Sequence, residues 1–227
     1  MAETRQYVST EISIPCGEVV LRGNLVMPNG ATALVIFSHG SGSNRFSPRN
    51  GYVAGVLQEQ GFATLLVDVI SSEEDQQDAL HFDIDTLTYR LYTLVSFIQD
   101  YPATRYLTLG FFGSSTGAAS ALKAAALLDG RILTVVSRGG RPDLAEEALE
   151  NVSIPVLLIV GSLDFQVKAI NQSAYNKLKG ERKLVIVDGA THLFEERGKL
   201  EEVARIASIW FRRYLAGHRA GDTESEV

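Results

Sequence analysis

Six short apolar runs, ALVIFS, ATLLVDV, LTLGFF, ILTVVS, VLLIV and LVIVD, recur between residues 33 and 188, separated by longer stretches of helical pattern. This repetition limits the fold more than any other feature of the chain. A run that is apolar without alternation belongs to a strand buried on both faces, and strands spaced by helices pair in parallel beneath helices on both sides. The helical stretches fall at 48–60, 84–100, 116–128, 143–150, 168–179 and 199–215. Ahead of them, YVSTEISI and EVVLRGNLVM alternate around a PCG turn, the pattern of an antiparallel pair. The expected architecture is α/β: an about eight-stranded, mostly parallel sheet, two strands antiparallel and six parallel, with helices on both faces.

Composition limits what such a sheet serves. With 227 residues, 45% hydrophobic and 21% charged, the chain suits one domain with a full core, expected over residues 1–216. The polar stretch GHRAGDTESEV, residues 217–227, is expected to be a disordered tail. A net charge of −6 argues against nucleic acid as a partner, because phosphate-backbone binders cluster Lys and Arg. Cys16 is the single cysteine, which leaves no intrachain disulfide and no thiolate metal cluster. The opening MAETRQYVST lacks an apolar signal core, and no run approaches the ~20 apolar residues of a membrane span. The expectation is a cytoplasmic protein with a small-molecule substrate and no membrane or nucleic-acid partner.

In an open parallel sheet, ligands bind outside the carboxyl ends of the strands, so chemistry belongs in the loops that follow them. After LTLGFF comes GSSTG, then the strong helix former AASALKAAALL. Ser115 is the serine that matches G-x-S-x-G, with Gly113 and Gly117 two positions to either side. A nucleophile on a sharp strand-to-helix turn needs such small flanks, because the two backbones nearly touch there. The turn also places Ser115 at a helix N-terminus, where free amides favour a developing oxyanion. Chance yields on the order of 0.1 such matches in a chain of this make-up, so the bare pattern leaves open a turn whose serine caps the helix.

A serine hydroxyl needs a base, and the base an acid to orient it. Of four histidines, His218 lies in the tail, His81 in a charged connection and His39 before the serine; His192, in VDGATHLFEE, follows the last strand. It satisfies the chain order serine, acid, histidine. Asp164, in VLLIVGSLDFQV, ends the intervening strand, although it can alternatively cap the next helix. Asp143 is the rival acid, but Glu146 three residues on marks it as a helix start, and Asp68 precedes the serine. The loop HGSGSN after the first parallel strand is placed to complete an oxyanion hole, with the Ser41 amide joining that of Thr116. His39 then anchors the loop. No metal and no organic cofactor is implied.

Through FSHGSGSNRFSPRN, GFFGSSTGAAS, SRGGRPDLA, IVGSLDFQV and GATHLFEE in order, residues 8 to 216 resemble an α/β-hydrolase, and more narrowly the dienelactone hydrolase-like group. Dienelactone hydrolases proper use a cysteine nucleophile; here the elbow carries serine, and Cys16 is distant on the N-terminal pair. The stretches HGSGSNR, SPRN and SRGGRPDLA also resemble a hydrolase module sometimes fused to a phosphoribosyltransferase domain. The resemblance implies an α/β-hydrolase fold. Many lipases of that fold carry a helical lid after the strand ILTVVS, but here the next helix follows within a few residues, so no lid domain is expected. An open cleft suits a small soluble ester, lactone or thioester.

Arg45 and Arg49 on one loop, with Arg138 and Arg141 on another, put four guanidinium groups at the expected catalytic edge. Arg45, Arg138 and Arg141 are candidates for binding a carboxylate or phosphate on the substrate. Ion pairs with Asp83, Asp85 or Asp143 that brace the loops are the alternative. The residues together suggest a serine hydrolase working through an acyl-enzyme; the competing reading is a non-catalytic binding or scaffold protein on the same fold. Residues 71–83 border the cleft without an assigned role.

Overall fold

The first two strands, β1 (Tyr7–Cys16) and β2 (Val19–Pro28), pair antiparallel with Tyr7 opposite Pro28 and Cys16 opposite Val19. Beyond them a computed structural model, which describes residues 6–71, 74 and 78–216, follows the alternation read from the sequence. β3 (Ala33–Ser38) leads to α1 (Pro48–Glu59), β4 (Ala63–Val67) to α2 (Ile84–Asp100), and β5 (Thr108–Ser114) to α3 (Thr116–Leu127). β6 (Thr134–Arg138) leads to a 3-10 segment at Pro142–Asn151, β7 (Val156–Gly161) to α4 (Phe165–Lys177), and β8 (Arg182–Val187) to α5 (Lys199–Leu215).

The eight strands form one sheet in the order β1-β2-β4-β3-β5-β6-β7-β8. β2 is antiparallel to both β1 and β4, and every other pairing is parallel. Only β2 therefore runs against the rest, which refines the expectation of two antiparallel strands. Every residue of β3 to β7 is buried, because both faces are covered. Alternate residues of β3 divide accordingly: Leu34 and Ile36 pack with α2 and α3, whereas Val35 and Phe37 pack with α1 and α5. On α5 the buried Val203, Ala204, Ala207, Phe211 and Leu215 recur at helical spacing and form its core face. Full burial of a side chain like Phe211 contributes about 1.5–3 kcal/mol. Trp210 keeps its indole satisfied inside by donating to Thr134 Oγ1 at 2.8 Å.

Strand register sets the site. Ser38 lies opposite Gly113, Gly113 opposite Ser137, and Ser114 opposite Arg138, so β3, β5 and β6 end at one level and their loops emerge side by side. Two helix expectations need correction. The stretch 143–150 is a 3-10 segment broken at Glu146 (φ 51°, ψ −129°), so Asp143 does not start an α-helix there. The helix expected at 168–179 begins at Phe165, with Asp164 in the N-cap position. Three residues separate β6 from the 3-10 segment, and no lid is inserted there. Residues 72, 73, 75–77 and the expected tail 217–227 lie outside the described residues.

Candidate active site

Ser115 occupies the single position between β5 and α3, with φ 52° and ψ −124°. A side chain at positive φ costs on the order of 1–3 kcal/mol and persists only where its surroundings impose it. Here the Ser115 amide donates to the Arg138 carbonyl at 3.3 Å, and its carbonyl accepts from Ala118 N at 3.1 Å and Arg141 N at 3.0 Å. The loop after β6 thus braces the turn. A methyl group at Gly113 would sit 2.5 Å from Ala118 Cα, and one at Gly117 would be driven into the carbonyl oxygens of Ser38 and His39. Gly40, from the loop after β3, lies against the serine: a Cβ there would be 2.7 Å from Ser115 Cβ and 3.4 Å from its Oγ. Ser115 makes no capping hydrogen bond to α3, which removes the capping-turn alternative.

His192 Nδ1 and Asp164 Oδ2 are 2.6 Å apart, the length of a charge-assisted hydrogen bond in which the ring N–H donates. Asp164 occupies the N-cap position of α4 but caps nothing with its side chain, leaving the carboxylate for the histidine. The pair grades outward: the Asp164 side chain is 14% exposed and that of His192 40%. A Cβ on Gly139, next to the Arg138 carbonyl that holds Ser115, would lie 3.4 Å from the imidazole Cε1 and Nδ1. The ring therefore rests over the loop that braces the serine. Ser115 and His192 are not hydrogen-bonded to each other here, as is common where a catalytic contact tightens only around substrate.

Thr116 is the first residue of α3 and Ser41 lies on the loop after β3, and the two meet: the Ser41 amide donates to Thr116 Oγ1 at 3.0 Å. That hydrogen is already engaged, a detail no sequence pattern carried. His39 links the loops after β3 and β4, with Nε2 accepting from Val69 N at 3.2 Å and Nδ1 3.0 Å from Gly40 O, consistent with a neutral ring donating through Nδ1. His218 and the His81 side chain lie outside the described residues. Cys16 is buried at the end of β1, and burial pushes its thiol pKa up, the opposite of an activated nucleophile.

The four arginines separate sharply. Arg45 bonds Asp68 through Nη1 at 2.5 Å and Glu11 through Nη2 at 3.0 Å. Arg141 grips Asp143 with Nε and Nη2 at 2.9 and 2.7 Å, which identifies Asp143 as a partner of its own loop. Arg49 reaches Glu195 at 2.5 Å. Arg45 and Arg141 thus brace loops, although Arg45 does so with Asp68 and Glu11, which sequence reasoning did not pair with it. Arg138 is 7% exposed, and its Nε and Nη1 have no hydrogen-bond partner. A cleft of about 460 Å³ opens beside the loop after β3, lined by His39, Arg45, Asp68 and Ser71 among others; none of Ser115, Asp164 and His192 lines it. Among the described residues no three His, Cys, Asp or Glu side chains are grouped to hold a metal, and no helix is long and apolar enough to cross a membrane.

No protein-family model matches the chain. A Mycobacterium tuberculosis protein whose name suggests a phosphoribosyl transferase is 47% identical over 207 residues, 91% of this chain and 47% of that protein. The chain spans about half the length of the curated relatives it matches. The crystal structure of a dienelactone hydrolase from Anabaena variabilis is 50% identical, with a TM-score of 0.90 over 92% of this chain and 99% of that one. Est1E from Butyrivibrio proteoclasticus, 19% identical, superposes with a TM-score of 0.76 over 89% and 98% of the two chains. An esterase of Pyrococcus furiosus, 18% identical, gives 0.75 over 92% and 94%. These last two share the fold, an eight-stranded, mostly parallel α/β sheet.

Proposed function

The chain belongs to the dienelactone hydrolase family of α/β-hydrolases, and from that premise we propose that it is a serine hydrolase cleaving a small soluble ester, lactone or thioester through an acyl-enzyme. The observation that carries this reading is a strained Ser115 at a strand-to-helix turn, together with a 2.6 Å His192–Asp164 pair brought over the same loop. Ser115 Oγ attacks the substrate carbonyl and forms the new C–O bond while His192 Nε2 takes its proton. Asp164 holds Nδ1–H and favours the imidazolium that forms. The imidazolium then protonates the leaving group as the old bond breaks, and water, deprotonated by His192, releases the acyl group.

The oxyanion is held by the Thr116 amide at the positive end of α3 and by the Ser41 amide. Because the Ser41 amide donates to Thr116 Oγ1, it exchanges that acceptor for the arriving oxyanion. The transferase suggested by the name of the Mycobacterium relative belongs, in this reading, to the half of that protein which this chain does not span. Hydrolysis of short p-nitrophenyl esters tests the proposal: turnover by the wild type that vanishes in Ser115→Ala supports it. Equal rates in the two, or none in the folded wild type, favour a non-catalytic binding protein on this fold.

A further inference from the structure

Three residues form the buried face of α4: Val167, Asn171 and Ala174. The amide among them is 0% exposed, so its hydrogen-bonding groups must find partners inside the protein. Its Nδ2 gives one hydrogen to the Val167 carbonyl, one turn back on its own helix, at 2.8 Å. The other goes to the Gly140 carbonyl at 2.9 Å, on the loop after β6. The Oδ1 is buried without a partner. An orphaned oxygen opposes much of what the two donated bonds contribute, so stability alone accounts poorly for an amide at this place. What the residue supplies is a donor aimed at one loop carbonyl.

That carbonyl begins a series of bonds that ends at the proposed chemistry. Gly140 O and the Arg141 amide belong to one peptide plane, and in a trans peptide the C=O and N–H point opposite ways. Arg141 N donates to the Ser115 carbonyl at 3.0 Å. Ser115 O and the Thr116 amide share the next plane, and that amide is the proposed oxyanion donor at the start of α3. The series therefore runs from Asn171 Nδ2–H to Gly140 C=O, from Arg141 N–H to Ser115 C=O, and from Thr116 N–H to the oxyanion. Each bond polarises the next, because charge drawn from a carbonyl makes the N–H of the same amide a better donor. Packing holds the first plane in place: a Cβ on Gly140 would be driven into Ser137 Oγ and would lie 2.6 Å from Ala118 Cβ. The same helix carries Asp164 at its N-cap, about two turns before Asn171, so one rigid element serves both the acid and this series.

We propose that Asn171 is a positioning residue for the oxyanion hole, orienting and polarising the Thr116 amide through two successive peptide planes without itself meeting the substrate. The role rests on the hydrolase reading, whereas the bonded series does not. Removing an oxyanion donor outright costs about 10²–10³-fold in kcat; a donor that is kept but less polarised and less firmly oriented is expected to cost about tenfold.

The test reads turnover, analogue binding and the amides themselves in the wild type and in Asn171→Leu, which keeps the branching at Cγ and removes the donor. For p-nitrophenyl acetate, kcat/KM should fall by about tenfold, carried by kcat rather than KM. The inhibition constant of butylboronic acid, whose tetrahedral adduct on a serine places an oxygen in the oxyanion hole, should rise by the same factor. The amide nitrogen resonances of Arg141 and Thr116, read by NMR without substrate, should move upfield as their carbonyl partners lose polarisation. Ala174→Gly loosens α4 without touching the series and should leave all three readouts at wild-type values; an equal loss there overturns the proposal. Where Asn171→Leu does not unfold cooperatively in urea, Asn171→Ala takes its place with the same expectations. Ser115-dependent turnover in the wild type, with kcat/KM and boronate binding unchanged in the folded variant, overturns the positioning role and leaves the hydrolase. A tenfold loss with the Thr116 nitrogen unmoved also overturns it. Absence of Ser115-dependent turnover in the wild type removes the hydrolase reading and the oxyanion role with it; the resonances then decide the bonded series alone, which a shift at both amides supports and unmoved positions overturn.

Discussion

Gly40→Ala perturbs the candidate nucleophile without substituting any residue of the proposed triad. The added Cβ would lie 2.7 Å from Ser115 Cβ and 3.0 Å from Ser114 O, whereas ordinary van der Waals contact begins at 3.4 Å. Gly40 is not among the residues at positive φ, so alanine brings no backbone strain of its own. Nor can the serine yield freely, since hydrogen bonds from Ala118 and Arg141 fix its carbonyl. The loop and Ser115 must part by most of an ångström, and misplacement by ~1 Å costs about 10²-fold in rate, or ~2.7 kcal/mol of barrier. Kinetics with p-nitrophenyl acetate, paired with urea unfolding, should show kcat/KM down by about 10²-fold while the cooperative transition persists. Gly51→Ala is the control: it lies within α1 with nothing within 4 Å of its would-be Cβ, and alanine there is expected to stabilise by about 0.5–1 kcal/mol. Wild-type kcat/KM in a folded Gly40→Ala protein would refute the packing of this loop on the nucleophile.

Asp164→Asn should lower kcat by about 10⁴-fold by favouring the wrong histidine tautomer. Asp143→Asn should leave kcat near the wild-type value, because its bond to Arg141 is an exposed pair worth ~0–1 kcal/mol; the reverse pattern in steady-state kinetics would sink the acid assignment. Asp83 caps α2, and the hydrogen bonds from the Thr86 amide and hydroxyl hold its pKa below the ordinary 3.8. Its folded pKa being depressed, the stabilisation is present above that ordinary value and is lost as pH falls through the folded one. Urea unfolding should place Asp83→Ala about 1 kcal/mol below the wild type at neutral pH, with the gap narrowing in acid below 3.8. A gap that widens in acid would contradict this.

The strands and the elbow were legible because their signals are local. An apolar run without alternation requires two covered faces, and Gly113 is demanded by the backbone of Gly117 and Ala118 a few residues away, whereas the close neighbours of Gly117 are the distant carbonyls of Ser38 and His39 and only the G-x-S-x-G spacing marked it. That His192 and Asp164 come together could be expected from chain order because the parallel topology brings successive strand ends side by side. What the sequence withheld depends on which loops meet. Arg45 and Asp68 are joined across the loops after β3 and β4, and Arg49 and Glu195 across 146 positions, so neither pairing has a local pattern. The engagement of the Ser41 amide by Thr116 Oγ1 and the contact of Gly40 with Ser115 arise from the same tertiary approach. Glu146 broke an expected helix because a backbone at φ 51° has no signature in residue type when the residue is glutamate. Burial of Arg138 without a partner was equally invisible, since a strand-ending arginine more often snorkels to solvent.

The central claim is that Ser115 is a nucleophile activated by His192. It is tested most directly by reacting the folded protein with a fluorophosphonate and locating the adduct by mass spectrometry. The account predicts one phosphonylated residue, Ser115, with labelling lost in His192→Ala while that variant stays folded. Labelling at another residue, labelling of Ser115 at an unchanged rate in His192→Ala, or no adduct on the folded wild type would contradict it.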